Sequence, residues 1–373
     1  MFVKSISFEN YRNLKNTAIY PDKGINVIYG DNAQGKTNLI EGLWLFTGGR
    51  SFRGAKDSEL IAFGKKNASA ELCFYSHERE QTIRLQISNG KRSAVLNDVP
   101  KAYMSQIIGS FCAVVFSPDH LTLIKNGPEE RRNFIDAAIC QIKPGYAAVL
   151  SRYKRVLNER NALLKDIPRH RELEDTLDIW NDRLAHEGAL AAQERFRYIE
   201  KLTKLAVGFY DGISDGKEIL SVSYRTGYGG ESTMSREELK KKILSSLEKR
   251  QNDDIYCGFT TSGIHRDDLI VSINGKEARS FGSQGQQRSA VLSLKLAEAS
   301  VLREEKGEAP VILLDDVLSE LDASRQNYLL HKLEGLQVFI TCCDTHIRCD
   351  HRIRLCDGEM IPEENEYVSS SGE

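Results

Sequence analysis

No run of 18 uncharged apolar residues occurs anywhere in the 373-residue chain, so no segment reads as a membrane-crossing helix. The start, Met1-Phe-Val-Lys-Ser-Ile-Ser-Phe-Glu9, lacks the apolar core of a secretory signal. An excess of one charge is also missing. Lys and Arg number 51 against 53 Asp and Glu, a formal net charge of -2, so any DNA contact must come from local clusters of cations rather than from a basic whole. Cysteines 73, 112, 140, 257, 342, 343, 349 and 356 sit mostly in apolar stretches. They read as reduced thiols, and the chain as a soluble cytoplasmic protein without a membrane partner. With 40% apolar residues, disordered and collagen-like classes are excluded. At roughly 100 to 200 residues per domain the length suggests about two domains, too little for long coiled-coil arms.

The first hundred residues carry strand patterns at 2–8, 25–29, 70–75, 82–87 and 93–96, with Ser88-Asn-Gly-Lys91 as a hairpin signal. One helix, 36–46, interrupts them. Between about 119 and 250 the apolar positions recur at helical spacing: Leu150, Tyr153, Leu157 and Leu164, then Leu173, Leu177, Trp180 and Leu184. Pro168, between the two series, marks the turn of a helical hairpin. Strand and helix alternation then returns, with a strand at 268–273, a long helix from Gln286, and buried strands at 311–314 and 338–340. The expected fold class is α/β: a discontinuous domain of residues 1–118 and 255–373 built on a mixed sheet, with an inserted, mostly helical lobe, 119–254, that carries a short helical-hairpin arm. From Asp357 onward six acidic residues and no basic ones describe a solvated tail.

The strand 25–29 runs into Gly30-Asp-Asn-Ala-Gln-Gly35-Lys36-Thr37, which opens a helix bearing Leu39, Ile40, Leu43 and Phe46. That is the context a phosphate-binding loop requires. Glycines let successive backbone N–H groups face one concavity and the helix N-terminus adds positive potential. Lys36 reaches the outer phosphates and Thr37 supplies a ligand to Mg²⁺. Gly30, Asn32, Gly35, Lys36, Thr37 and Asn38 are the expected contacts of a nucleoside triphosphate. Further on, Val311-Ile-Leu-Leu-Asp315-Asp316 is an apolar run ending in two acids, as when a central parallel strand delivers carboxylates to the nucleotide edge. Successive strand residues point to opposite faces, so the two acids take different roles. Asp315 is assigned to the magnesium shell, and Asp316 to orienting or deprotonating the attacking water. A carboxylate one methylene shorter than glutamate at 316 implies slow hydrolysis.

Many phosphate-loop enzymes need nothing more. Here Ser283-Gln-Gly285-Gln-Gln287-Arg288 opens an amphipathic helix through Val291, Leu294, Ala297 and Val301, so its N–H groups make a second anion site. Ser319-Glu-Leu-Asp322 follows the acids. The two segments resemble the signature and D-loop of ATP-binding-cassette ATPases, whose nucleotide lies between two heads. Joined by Phe8-Glu-Asn-Tyr11-Arg12-Asn13, Phe116-Ser-Pro-Asp119, Gly263-Ile-His265-Arg266-Asp267-Asp268 and Leu314 to Asp322, in order from residue 2 to about 345, they are similar to those of the RecF family, bacterial recombination-mediator ATPases related to Rad50 and the SMC proteins.

That resemblance implies an ABC-type head without long coiled coils, which dimerises on ATP. It implies binding to double-stranded, single-stranded and gapped DNA, and cooperation with RecR and RecO in loading RecA. It places Arg12 and Asn13 near the nucleotide, gives Ser283 a catalytic role beside Lys36 and Asp316, and makes Gly285, Gln286 and Asp322 further ATP contacts. Where transporter cassettes carry a switch histidine, this chain has Ile340-Thr341-Cys342-Cys343-Asp344, and its nearest histidine is His346. No glutamine is assigned to a Q-loop.

Cations cluster locally. Eight Lys or Arg face two acids between Lys143 and Arg171, and Arg50-Ser-Phe-Arg53-Gly-Ala-Lys56 holds three around an aromatic ring. Arg50, Arg53 and Lys56 are expected to face DNA, with secondary contacts from the helical lobe. Cys342, Cys343, His346, Cys349, His351 and Cys356 match no paired zinc spacing and read as packing residues. Three rivals to a weak, DNA-stimulated ATPase stay open: a Rad50-like motor driving a nuclease, a small-molecule kinase, and a transporter cassette.

Overall fold

A computed structural model describes residues 1–121, 123–342 and 347–361. The chain divides into two compact units, residues 1–118 with those from 308 onward, and residues 119–307.

The first stretch contains β1 (Phe2–Glu9), β2 (Thr17–Ile19), β3 (Ile25–Tyr29), α1 (Lys36–Leu45), β4 (Asn67–Ser76), β5 (Arg79–Ser88), β6 (Lys91–Leu96), β7 (Val99–Lys101) and β8 (Ala113–Phe116). Six of these strands form an antiparallel sheet in the order β2-β1-β4-β5-β6-β7. Alternation builds it: Ile83, Leu85 and Ile87 are buried on one face of β5 while Arg84 and Gln86 are exposed. Ser88 pairs with Lys91 across Asn89 and Gly90, both at positive φ, the backbone that closes a two-residue hairpin. Helix α1 approaches this sheet closely because position 42 is glycine. A Cβ there would stand 2.3 Å from Cε1 of Phe8.

The middle stretch contains α2 (Pro118–Leu121), α3 (Pro128–Ile142), α4 (Gly145–Asp166), α5 (Leu177–Ser214), β9 (Leu220–Arg225), α6 (Arg236–Lys249), α7 (Gln251–Cys257), β10 (Asp268–Ile273), β11 (Lys276–Glu277), α8 (Ala278–Phe281) and α9 (Gln284–Lys306). After α4 the chain turns through Pro168 and a 3-10 segment, Arg171–Thr176, into the 38-residue α5. The sequence reading returns the chain to the first domain at residue 255, whereas the contacts return it at 308. The cause is pairing. Strand β10 joins β9 along its whole length in a three-stranded sheet, β11-β10-β9, and α9 packs along α5, so residues 255–307 fold with the inserted unit. Strand β9, with its Leu220, Val222, Tyr224 alternation, lies inside the stretch that helical spacing dominates.

The last stretch contains β12 (Val311–Asp315), α10 (Ala323–Lys332), β13 (Val338–Cys342), β14 (His351–Cys356) and β15 (Glu359–Ile361). These strands complete a second six-stranded sheet, β15-β14-β3-β13-β12-β8, parallel except for β15. Both faces are covered, so Val311 to Leu314 are each fully buried, which contributes about 1.5 to 3 kcal/mol per side chain. Helix α1 packs on β12 and β13. Among the described residues no helix is long and apolar enough to cross a membrane.

The His265 to Asp268 segment belongs to the interior of the second unit. Arg131 pairs with Asp268 through two contacts of 2.7 and 3.1 Å. Asp267 Oδ2 accepts from Tyr224 at 2.8 Å and Tyr228 at 3.4 Å and lies 3.7 Å from Arg195, while its Oδ1 is buried without a hydrogen bond. His265 Nδ1 stands 2.7 Å from the Tyr153 hydroxyl of α4. Burial pushes the Asp267 carboxyl up to about 6 and the His265 imidazole down to about 4. Their linkage slopes oppose each other. As pH rises from about 4 to 6 the folded state loses stability through Asp267, which holds a proton the unfolded chain has released. Over the same window it gains stability through His265, which the unfolded chain protonates more. Asp267→Asn removes only the falling slope. Relative to the native chain it is expected to gain about 3 kcal/mol in urea unfolding between pH 4 and pH 7.5, from a shift of about two units. Parallel pH profiles for the two chains would contradict this.

Candidate nucleotide site

Register places the site. Ile28 of β3 lies beside Thr341 of β13, and Thr341 beside Asp315 of β12, so the loop after β3 and the acids after β12 share the carboxyl edge of the parallel sheet. The loop needs its special residues. Gly30 has φ 150° and a Cβ there would meet the Leu355 carbonyl at 2.3 Å. Gly35 has φ 106° and caps α1 against Asn13. Lys36 Nζ folds over the loop and donates to the carbonyls of Gly30 at 2.5 Å and Asp31 at 3.2 Å. The ammonium thus lies against the backbone of the loop. Asn32 is exposed on the same loop.

Thr37 Oγ1 donates to Asp315 Oδ1 at 2.9 Å, and Thr341 Oγ1 donates to the same oxygen at 2.9 Å. Burial raises the Asp315 carboxyl above the usual range, while the Thr341 and Thr37 hydrogen bonds and the Arg53 charge pull it back. A hydroxyl and a carboxylate in contact form a hard-oxygen pair that fits Mg²⁺. Asp316 is separated from Asp315 by a different device from the strand alternation expected. Strand β12 ends at Asp315, and Asp316 takes a left-handed φ of 51° with its N–H donating to Thr341 Oγ1 at 2.9 Å. It is exposed, and Ser319 Oγ donates to its carbonyl at 2.8 Å and to Oδ1 at 3.2 Å. Asp322 caps α10, accepting the Arg325 N–H at 3.0 Å, a bond that holds its carboxyl below the usual range.

A relay of side chains borders the loop. Arg53 Nη1 donates to Asn38 Oδ1 at 3.0 Å, Asn38 Nδ2 to Asn13 Oδ1 at 2.7 Å, and Asn13 Nδ2 to the Ala33 carbonyl at 3.1 Å. Arg12, at φ 52°, is held by the fully buried Glu41 of α1 through contacts of 3.0 and 2.9 Å. Ser51 Oγ donates to Glu41 at 2.5 Å and accepts the N–H of Arg53 at 3.1 Å. The three cations expected at DNA, Arg50, Arg53 and Lys56, are all exposed, and Arg53 in addition reaches Asn38 of α1.

Ser283, Gly285 and Gln286 belong to the second unit. Ser283 is exposed and caps α9 in a reciprocal box: its Oγ accepts the Gln286 N–H at 3.2 Å, and its own N–H donates to Gln286 Oε1 at 2.8 Å. The sequence reading missed Thr341 as the residue that fixes both acids, and Glu41 as the anchor of Arg12. A threonine closing the buried run Val338-Phe-Ile, one strand from the acids, is the available signal for the first. Cys342 ends β13, and His351 and Cys356 bound β14. Cys343 and His346 lie outside the described residues. Among those described, no three His, Cys, Asp or Glu side chains converge as a metal cluster.

Comparison with known proteins supplies an independent line. A family model described as the RecF/RecN/SMC N-terminal domain matches residues 2–352. The DNA replication and repair protein RecF of Ruminiclostridium cellulolyticum is 42% identical over 345 residues, 92% of this chain and 92% of the relative. That of Acetivibrio thermocellus is 38% identical over 348 residues, 93% of this chain and 94% of the relative. A solved structure of the recombination mediator protein RecF with ATPrS, from the RecFOR pathway, superposes with a TM-score of 0.91 at 38% identity, covering 96% of this chain and 97% of that one. An Smc head bound to the C-terminal winged-helix domain of ScpA, at TM-score 0.55 and 17% identity over 97% of this chain and 98% of the other, shares the fold.

Proposed function

The chain belongs to the RecF family of DNA replication and repair proteins, and from that premise we propose that it is a weak, DNA-stimulated ATPase that pairs with a second copy of itself on binding ATP. The observation that carries this reading is the Thr37 to Asp315 contact at 2.9 Å beside the phosphate loop. Thr37 and Asp315 would hold Mg²⁺, which when bound neutralises charge on the outer phosphates. Lys36 and the loop N–H groups bind the phosphate chain, Asn13 and Asn38 brace the loop, and Asp316 orients the attacking water from its exposed turn. The first unit is the nucleotide-holding head and the second the lobe that presents Ser283, Gly285 and Gln286. Offered to the triphosphate on a second copy, these residues and Asp322 complete a pocket that neither copy has alone. Binding ATP favours closure because only the closed pair makes those contacts, and losing the outer phosphate removes them. Arg50, Arg53 and Lys56, all exposed, contact DNA phosphates in double-stranded, single-stranded or gapped substrates. RecR is the proposed direct partner, with RecO and RecA acting alongside; the RecFOR pathway in which the similar structure is placed supports this reading.

Sedimentation of the native chain and Ser283→Arg, with and without ATP and gapped DNA, tests the composite pocket. The native chain is expected to pair only with ATP and the variant to stay single at the same nucleotide occupancy. ATP-driven pairing of Ser283→Arg equal to that of the native chain would refute it.

A further inference from the structure

In the capping box at the start of α9, Ser283 and Gln286 satisfy each other through Ser283 Oγ, the Gln286 N–H, the Ser283 N–H and Gln286 Oε1. The amide Nε2 of Gln286 is left over, and an exposed box would leave it to water. Here it donates to Glu218 Oε1 at 2.7 Å, and Glu218 Oε2 accepts from the Tyr210 hydroxyl at 2.5 Å. Tyr210 is fully buried on the last turns of α5. The backbone next to Glu218 is pinned as well: Ile219 N–H donates to Asn274 Oδ1 at 2.8 Å, and the Asn274 N–H to the Ile219 carbonyl at 2.9 Å. A rigid line therefore runs from the interior of the second unit to an exposed hydroxyl. A carboxylate close to a helix N-terminus that is to receive an anion would otherwise work against that anion.

We propose that Glu218 is a positioning residue for ATP-driven pairing, which orients the Ser283 hydroxyl through Gln286 toward the outer phosphate bound by a second copy. The inference rests on the composite-pocket reading above. The chemistry is that of donors and acceptors. A carboxylate offers only acceptors, so it fixes the amide with Nε2 toward Glu218 and Oε1 toward the Ser283 N–H. A flipped amide would set two donors against each other at Ser283. With Oε1 in place, the Ser283 Oγ accepts from the Gln286 N–H, and the hydroxyl hydrogen remains to be donated outward. Each copy thus presents an aligned donor before the nucleotide arrives, so no ordering cost falls on closure.

The test compares Glu218→Ala, Glu218→Gln, Gln286→Ala and the Glu218→Ala/Gln286→Ala pair, with Ser283→Arg as reference, in the full chain. Single-copy affinity is read with a fluorescent ATP analogue, pairing by sedimentation, and turnover by phosphate release. Glu218→Ala is expected to weaken pairing and kcat by about tenfold, the order set by a hydrogen bond to a charged group, with single-copy affinity within about twofold. Glu218→Gln, whose amide oxygen still accepts from Gln286, is expected to restore most of both. The double variant should be no weaker than Gln286→Ala alone, because Glu218 acts only through that amide. Native-like pairing by Glu218→Ala, or a loss that adds in full to that of Gln286→Ala, overturns the positioning role while Ser283→Arg still blocks pairing. If Ser283→Arg pairs as the native chain does, the composite pocket fails and the role of Glu218 fails with it.

Discussion

Lys36→Ala is expected to lower triphosphate affinity by about a hundredfold, to abolish ATP-driven pairing and to leave no measurable hydrolysis, while the unfolding midpoint stays unchanged. The size follows from the charge. A hydrogen bond to a charged group contributes about 1.5 to 3 kcal/mol, and each 1.4 kcal/mol is about tenfold. Without nucleotide the ammonium donates to the backbone carbonyls of Gly30 and Asp31 and is half-buried on the loop surface, so folding loses little. Asp316→Asn is the contrasting variant. Asn adopts the left-handed backbone at 316 as readily as Asp does, and the Ser319 hydroxyl can still donate to its side-chain oxygen. Charge is what changes. Hydrolysis should fall by about a hundredfold, in the range for loss of a general base, while ATP-driven pairing persists and lasts longer. The checks are equilibrium titration with labelled ATP, sedimentation and single-turnover phosphate release. Tight nucleotide binding by Lys36→Ala, or undiminished hydrolysis by Asp316→Asn, would remove these residues from their assigned roles.

What the sequence makes legible is local and periodic. The run Ile25 to Tyr29, the glycine spacing of the loop and the apolar Val311 to Leu314 each announce their element within a few residues, because backbone bending and two-sided burial are written into adjacent positions. The parts that stay hidden depend on partners far along the chain. Nothing near Asp316 indicates that its N–H is captured by Thr341, 25 residues later, which turns the two acids apart by a backbone bend. Nothing around Arg12 announces that Glu41 of α1 holds its guanidinium, and nothing around Arg53 announces the bond to Asn38 that it makes while staying exposed. Strand β9 escapes because its six residues sit between long helices, and its partner β10 carries residues 255–307 into the inserted unit. Ser283 is an ordinary helix cap by its hydrogen bonds, and its role toward a second copy is the proposal made above.

The cation run from Lys143 to Arg171 contains the second large effect. Arg160 is fully buried, the largest side chain so enclosed among the described residues. Its Nη1 donates to Asp254 Oδ2 at 2.8 Å and Thr260 Oγ1 at 2.7 Å, and its Nε to Asn181 Oδ1 at 2.8 Å. Asp254, also fully buried, receives the N–H and hydroxyl of Thr261 at 2.8 and 2.7 Å. One guanidinium therefore joins α4, α5, α7 and the loop after α7. Desolvating two charges costs nearly what their attraction returns, so the pair adds little net stability, yet breaking it strands a buried charge. Arg160→Ala and Asp254→Ala are each expected to destabilise by about 3 to 5 kcal/mol. The double replacement Arg160→Met/Asp254→Leu, which leaves no ion behind, should recover most of that loss. Urea unfolding of the full chain, followed by tryptophan fluorescence from Trp180 on the neighbouring α5, reads all three. Single losses under about 1 kcal/mol, the scale of an exposed pair, would mean that water reaches the guanidinium and that the hub is not closed. A double variant as weak as the sum of the singles would mean that the ion pair itself, and not the stranded charge, holds the arm to the rest of its unit.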